Sequence, residues 1–208
     1  MKGESSTAYT KYPHISGVPR RIFRKCPDAK FIYLLRHPID RTVSHIIHDM
    51  LEGLAPQLNF VDGLIRQKEN NIYVDCSRYM MQIDQYLNYF PKDRFLLVSH
   101  FDLKTNPALV VNQVQEFLGI EGDLNSEVFH QKKNVSGERT IIEDRALYKL
   151  TLKQEKRGEI PIGTAEKLRK PFVAPGITEV AAVDLMDDLK PDIERLYEFA
   201  GRDFDWTV

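Results

Sequence analysis

The sequence lacks a dominant charge of one sign. Its 29 lysines and arginines nearly balance 30 aspartates and glutamates, so the formal net charge is -1. This balance argues against a global basic field for nucleic acid or for an anionic membrane surface. We therefore expect neither a nucleic-acid nor a membrane partner, and any anion site must be local.

Cysteine is also scarce. Cys26 and Cys76 are the only two, and they have neither C-x-x-C spacing nor a histidine at metal-ligand spacing. The pattern makes a zinc site unfavourable, and we interpret both residues as reduced, buried thiols.

Long apolar runs are missing as well. No run approaches the roughly 18–20 residues of a transmembrane helix, and the start MKGESSTAYTKYP has no apolar signal core. We expect a cytoplasmic protein. A G-x-x-x-x-G-K-[ST] loop does not occur either, which weakens a P-loop kinase interpretation. The chain has 208 residues, of which 42% are hydrophobic. This length and composition suffice for a single domain over 1–208.

Two short apolar runs, KFIYLLR at 30–36 and FLLVS at 95–99, predict fully buried parallel strands. Apolar residues at helical spacing predict helices between and after them, at 38–51, 60–67, 78–90, 107–118 and near 191–200. This order favours an α/β fold with a doubly wound parallel sheet. Residues 120–145 are expected to be extended and polar, and the dense Gly and Pro of 158–175 predict a long loop or lid.

The stretch PDAKFIYLLRHPIDRTVSH, residues 27–45, brings an arginine to the end of a strand where a helix begins. Ligands of open α/β sheets bind at this place. Free N–H groups of the helix, the Arg36 guanidinium and the Ser44 hydroxyl could together bind a dianion. The alternative is that Arg36 only pairs with Asp40 and that Ser44 is an ordinary helix serine.

Arg36, Pro38, Asp40 and Ser44 match an Arg-x-Pro-x-Asp-x-x-x-Ser element position by position. In this element the chain resembles the sulfotransferases that use 3′-phosphoadenosine 5′-phosphosulfate (PAPS), in which it holds the 3′-phosphate. GESSTAY near the start, YLNYFPKDRFLLVSHFDLKTNP and DIERLYEFAGRDFDW resemble further segments of heparan-type and bacterial members. The resemblance implies a P-loop-like sulfotransferase fold, PAPS as co-substrate without a metal, and Arg36 and Ser44 as the residues that bind it. It also implies a small-molecule or carbohydrate acceptor.

One segment of that family has no counterpart in this sequence. Members open with a strand and a Pro-Lys-Ser/Thr-Gly-Thr-Thr-like loop that wraps the 5′-phosphosulfate, and no such loop occurs here. We therefore expect an N-terminally incomplete domain without the first strand and helix, and an apolar position of the sheet left uncovered. The acidic base of carbohydrate-type members would be lacking too.

Other residues are candidates for the remaining roles. His14 precedes Arg36 by 22 residues, a spacing similar to that of the catalytic histidine in the cytosolic enzymes, so it is either the base or a plain loop histidine. Lys132, Lys133 and Arg139, and KRG at 156–158, either contact the nucleotide or are solvated loop residues.

The resemblance implies transfer of a sulfuryl group from PAPS to a hydroxyl or amine, with doubtful activity for this chain. The alternative is a non-catalytic nucleotide-binding or interaction remnant of a sulfotransferase that kept the 3′-phosphate site.

Overall fold

The computed structural model describes residues 2–54, 61–67, 69–120 and 140–206. Strands β1 (Phe31–Leu35) and β2 (Phe95–Ser99) pair in parallel, with Phe31 opposite Phe95 and Leu35 opposite Ser99. Both strands lie where the sequence predicted them. Because they are parallel and in register, their carboxyl ends lie at the same edge of the sheet.

Nine helices are found in the described ranges. They are α1 (Val18–Lys25), α2 (Pro38–Leu51), α3 (Val61–Ile65), α4 (Ile72–Asp75), α5 (Tyr79–Leu87), α6 (His100–Thr105), α7 (Pro107–Leu118), α8 (Arg145–Lys156) and α9 (Glu179–Ala200). The predicted helices α2, α3, α5 and α7 are confirmed, whereas α1, α4, α6 and α8 were not predicted. The family fold expected from the sequence, α/β with a parallel sheet, is present.

Local signals define the ends of α7, which is why its bounds were predicted correctly. The Asn106 side chain accepts a hydrogen bond of 3.3 Å from the Leu109 amide, and Pro107 occupies the first turn. Gly119 ends the helix with φ 69°, a left-handed conformation that glycine adopts without steric cost.

The prediction that both strands are fully buried was wrong. In β2 only Val98 and Ser99 are buried, and in β1 the two sides differ. Tyr33 and Leu35 face α5 and α9, where they pack around Tyr79 and Leu196. The alternate residues Ile32 and Leu34 point to the other side of the sheet and are 45% and 46% exposed. Successive strand residues face opposite sides, so an apolar run alone cannot show that both sides are covered. Ile32 and Leu34 are thus apolar positions of the sheet that remain partly exposed, and the absence of a first strand stays a prediction.

The last helix begins much earlier than Pro191, where the sequence placed its start. Thr178 caps α9 by accepting a 3.3 Å hydrogen bond from the Ala181 amide. Proline removes one backbone hydrogen bond and usually ends or kinks a helix. Here the buried apolar face continues through it, over Ala181, Ala182, Leu185, Leu189, Ile193 and Leu196. That burial offsets the cost of Pro191 in the helix interior.

A second sheet lies where a loop was expected. Strands β3 (Thr140–Ile142) and β4 (Arg169–Pro171) pair antiparallel, with Thr140 opposite Pro171. The prediction of a long loop over 158–175 was therefore wrong at Arg169–Pro171. Proline is tolerated in a strand at an unpaired edge, so Pro171 did not exclude this short strand.

The two cysteines differ in burial. Both are free, but only Cys76 is buried, whereas Cys26 is exposed at the carboxyl end of α1. The prediction of two buried thiols was thus wrong for Cys26. Its place at a helix end is set by the packing of α1, which the cysteine itself does not indicate. The assignment of 1–208 to one domain stays a prediction.

A buried carboxylate of α9 holds the first turn of α5. Asp192 in α9 accepts hydrogen bonds from the backbone amides of Met80 and Met81, at 2.9 and 2.8 Å. These amides belong to the first turn of α5, which has no intrahelical partner for them. Burial raises the pKa of Asp192, and the two amide hydrogen bonds act in the opposite direction.

We predict that Asp192→Ala lowers the free energy of unfolding by about 2 kcal/mol, because it leaves one buried and one partly buried amide of α5 unpaired. The matched control is Asp188→Ala, one turn earlier on α9. It removes an ion pair with Arg78 whose carboxylate is 55% exposed, and should cost at most about 1 kcal/mol. Urea unfolding of both variants measures the difference, and equal losses would contradict the assigned role of Asp192.

Candidate functional site

The site begins where β1 ends and α2 starts. Arg36 and His37 follow the strand, and Pro38 opens the helix in its first turn with the φ that a helix requires. The N-cap residue His37 makes no side-chain capping hydrogen bond to the helix. The first amides of α2 therefore point towards the sheet edge without a side-chain cap, an arrangement that favours an anion.

Arg36 and Ser44 have the exposure that ligand contact requires. The Arg36 side chain is 41% exposed, and its Nε lies 3.5 Å from Oδ2 of Asp40. Such an exposed pair is worth only about 0.5 kcal/mol, so the guanidinium can exchange it for a phosphate at little cost. Ser44 lies one turn beyond Asp40 and is exposed. Both interpretations of Arg36 can therefore hold, because it can pair with Asp40 and exchange this carboxylate for an anionic ligand.

Tyr79 fixes the main chain of Arg36. Its hydroxyl donates a 2.7 Å hydrogen bond to the Arg36 carbonyl and accepts one of 3.3 Å from the Arg36 amide. Burial raises the pKa of Tyr79 to about 12, so the phenol keeps its proton at neutral pH. The sequence indicated Tyr79 only as an apolar residue of α5, because nothing in a helical repeat shows which carbonyl a buried phenol will reach.

The neighbouring arginine has a structural role. Arg41 Nη1 donates to the Tyr73 carbonyl at 3.0 Å, and the hydroxyls of Thr42 and Ser77 lie 2.7 Å apart. These contacts attach α2 to α4. Of Arg36 and Arg41, the candidate ligand is therefore Arg36, which lies at the end of β1.

His45 lies on the same side of α2 as Arg41. Its ring packs edge-on against Tyr73 with centroids 5.0 Å apart, and its Nδ1 is buried without a hydrogen-bond partner in the described structure. Burial, reinforced by the positive charge of Arg41, lowers the pKa of His45 to about 4. Asp49 acts in the opposite direction and is outweighed.

His14 is held by a carboxylate. Its Nε2 lies 2.8 Å from Oδ2 of Asp75 at the end of α4, and both side chains are 20% exposed. A carboxylate that receives one ring N–H orients the imidazole and leaves the other nitrogen as a proton acceptor. The sequence singled out His14 but could not indicate Asp75, which is 61 residues away.

Gln82 holds the loop that carries His14. This buried amide accepts from the Tyr12 amide at 2.8 Å and donates to the carbonyls of Tyr12 and Asp75, each at 2.9 Å. Gln82 lies three residues after Tyr79 on α5, and residues at this spacing are neighbours on a helix surface. One face of α5 thus holds both Arg36 and the His14 loop.

The structure tests only some of the other basic candidates. Lys132, Lys133 and Arg139 lie outside the described residues. The KRG segment at 156–158 ends α8, where Arg157 pairs with Glu159 at 3.7 Å. No described contact joins this segment to Arg36 or Ser44. Its proposed contact with the nucleotide stays a prediction.

No group of three or more His, Cys, Asp or Glu side chains in the described ranges is arranged to hold a metal ion. None of the described helices is long and apolar enough to cross a membrane.

Comparison with known proteins gives one family. The profile of the Sulfotransferase domain matches residues 12–179. Heparan sulfate glucosamine 3-O-sulfotransferase 6 of Homo sapiens is 27% identical over 197 residues, which cover 90% of this chain and 52% of that protein. Bifunctional heparan sulfate N-deacetylase/N-sulfotransferase 2 of Homo sapiens is 32% identical over 119 residues, or 52% of this chain and 13% of that protein.

A solved structure shows the same fold. The sulfotransferase from Alicyclobacillus acidocaldarius superposes with a TM-score of 0.62 at 19% sequence identity, over 96% of this chain and 64% of that one. The chain spans about half the length of the 3-O-sulfotransferase that it matches.

The buried histidine predicts a pH dependence of stability. Between pH 6.5 and about 4 the unfolded chain binds a proton at His45 that the folded chain does not, so the free energy of unfolding should fall as the pH falls through this window. Each unit of pKa difference corresponds to roughly 1.4 kcal/mol at most. His45→Phe should flatten this fall, as measured by urea unfolding at pH 7 and pH 4.5.

The matched control is His48→Phe, which replaces an exposed histidine of the same helix and leaves His45 in place. It should keep the acid dependence of the parent chain. If His45→Phe loses as much stability on acidification as the parent, then His45 is not the group responsible.

Proposed function

The chain belongs to the Sulfotransferase domain family, and on this basis we propose that it binds PAPS through Arg36 and Ser44 and transfers its sulfuryl group to a hydroxyl or amine of an acceptor. The observation that carries the proposal is the arrangement at the carboxyl end of β1. There the exposed Arg36 guanidinium precedes the first turn of α2, whose N-cap residue makes no side-chain capping hydrogen bond, and the exposed Ser44 lies in the second turn of the same helix.

This set of groups fits a phosphate monoester in chemical terms. A guanidinium offers planar paired N–H donors, and amides at a helix N-terminus add directed donors with a partial positive charge. The 3′-phosphate of PAPS does not take part in the bond that breaks during the transfer. In the proposal, Arg36 and Ser44 therefore anchor the nucleotide, and their binding energy places the distant sulfur relative to the acceptor.

In the transfer, the acceptor oxygen or nitrogen forms a bond to sulfur while the bond from sulfur to the bridging oxygen of the 5′-phosphate breaks. The acceptor loses a proton to a base, and adenosine 3′,5′-bisphosphate leaves. As in phosphoryl transfer, positioning and charge stabilisation provide most of the rate enhancement.

We propose His14 as the base that takes the acceptor proton. Support comes from its pairing with Asp75 at 2.8 Å, which presents the imidazole in one orientation. A second support is its attachment, through Gln82, to the same face of α5 that carries Tyr79 and thereby Arg36. The competing interpretation is an ion pair that only secures the loop.

We further propose a carbohydrate as the acceptor. The names of the two human relatives given above place the action of those proteins on heparan sulfate. A saccharide presents both hydroxyl and amine groups, so it suits the proposed reaction.

A non-catalytic nucleotide-binding protein is the second candidate function. It is favoured by one feature of the sequence, which contains no Pro-Lys-Ser/Thr-Gly-Thr-Thr-like loop to stabilise the departing 5′-phosphate. Loss of one such donor typically lowers a rate by roughly a hundredfold to a thousandfold. Nucleotide binding with no measurable turnover would support this candidate.

The nucleotide assignment predicts that Arg36→Ala weakens the binding of adenosine 3′,5′-bisphosphate by roughly 1.5–3 kcal/mol, the range for hydrogen bonds to charged groups. Ser44→Ala should cost less, because its hydroxyl is uncharged. Isothermal titration calorimetry measures both affinities.

The control is Arg66→Ala, which removes an arginine of similar exposure that pairs with Asp184. Its affinity should equal that of the parent. Unchanged affinity in both Arg36→Ala and Ser44→Ala would remove the nucleotide site from α2.

For the reaction we predict slow turnover of labelled PAPS with a panel of saccharide acceptors, and a further loss of about a hundredfold in kcat for His14→Ala. The nucleotide Kd of that variant should stay at the parent value, since a base contacts the acceptor and not the 3′-phosphate. Retained turnover in His14→Ala would exclude His14 as base, and rapid turnover of the parent would show that the loop is dispensable.

A further inference from the structure

The segment Arg202–Trp206, which we name the C-terminal strap, crosses the carboxyl ends of both parallel strands. Next to β2, Arg202 Nη2 donates a 3.0 Å hydrogen bond to Oδ2 of Asp102 in α6. Next to β1, the indole of Trp206 lies 6.4 Å from the His37 ring, measured between centroids. The strap thus connects the two strand ends at the edge from which α2 starts.

A continuous stack of rings forms the strap. The Arg202 guanidinium lies 4.5 Å from the centroid of the Phe204 ring, and Phe204 stacks on Trp206 at 5.1 Å with an angle of 20° between the planes. Trp206 then contacts Tyr79 and Tyr197, at 5.6 and 6.0 Å. Aromatic pairs at these separations contribute beyond the area that they bury, so the indole has a defined position.

Two routes lead from Trp206 to Arg36. The first runs through Tyr79, whose ring contacts the indole and whose hydroxyl binds both the amide and the carbonyl of Arg36. The second runs through His37, which follows Arg36 directly and is the N-cap residue of α2. Any displacement of the indole therefore acts on the backbone from which the Arg36 side chain extends.

We propose that Trp206 is a positioning residue of the nucleotide site, which fixes the Arg36 backbone through Tyr79 and His37. This inference rests on the proposed nucleotide binding at Arg36. It goes further in assigning a role to the last part of the described chain. A strap that only covered the core would stabilise the fold without changing the affinity for a nucleotide.

The first test uses the fact that Trp206 is the only tryptophan among the 208 residues. Titration of the parent chain with adenosine 3′,5′-bisphosphate should change the tryptophan emission with the same Kd that calorimetry gives. Arg36→Ala should show a much smaller change at the concentrations that just saturate the parent. Binding in the calorimeter without any change in emission would count against the inference and leave the proposed function intact.

The second test compares variants by calorimetry. Trp206→Ala should weaken binding of the same nucleotide roughly tenfold, whereas Trp206→Phe, which keeps an aromatic ring on Tyr79, should recover most of the affinity. Phe23→Ala is the control, because Phe23 packs on Tyr89 and Phe90 away from Arg36 and is 40% exposed. Thermal unfolding of each variant shows whether it is folded at the temperature of the titration.

The outcomes separate the two ideas. Weakened binding in folded Trp206→Ala, with Phe23→Ala unchanged, supports the positioning role. Equal affinity in Trp206→Ala and the parent, or an equal loss in Phe23→Ala, overturns it. If Trp206→Ala does not fold, the emission titration of the parent decides the question. If the parent chain itself binds no nucleotide, the proposed function fails first.

Discussion

The parallel pairing of β1 with β2 is the constraint on which the rest of the structure depends. Five residue pairs, from Phe31 with Phe95 to Leu35 with Ser99, bring both strands to an end at one edge. Parallel strands require a long crossover, and α2 to α5 lie within the segment that forms it. The edge that results holds Arg36 and the start of α2.

Buried polar groups then determine how the helices sit around this pair. Asp192, Gln82 and the hydroxyl of Tyr79 each bond to backbone of another segment, over separations of 112, 70 and 43 residues. An unpaired buried amide or carbonyl is costly, so each contact discriminates against alternative packings of the same apolar faces. All three contacts involve α5, as acceptor or donor. This helix is therefore the element that relates α9, the His14 loop and the end of β1.

The site combines one strong and several weaker indications of function. The match to the Sulfotransferase domain over residues 12–179 gives the family, and the geometry at α2 adds exposed groups suited to a phosphate. The His14 and Asp75 pair adds an oriented imidazole, and the C-terminal strap adds an aromatic contact with the Tyr79 ring. Tyr79, Trp206 and other residues that the motif does not contain thus contribute to the surroundings of Arg36. Differences between relatives in affinity or acceptor choice can arise there without any change in the motif.

Local patterns in the sequence were sufficient for the elements whose signals are local. The bounds of β2 and α7 and the place of Arg36 at a strand end could be predicted, because apolar runs, an Asn-Pro start and a glycine end act within a few residues. The family resemblance came from the same kind of signal, at four positions of α2 and its approach. The candidate ligands of the nucleotide therefore follow from the sequence.

Tertiary structure alone decided the rest. The exposure of Ile32, the early start of α9 and the pairing of Arg169–Pro171 with β3 depend on which distant segment covers each face. Asp75, the partner of His14, and Tyr79, a partner of Trp206, are also distant from these residues in the chain. Periodicity shows that a side chain will be buried, but it carries no information about the residue it will meet. That choice is made by packing and by the need to pair every buried polar group, both of which act across the whole chain.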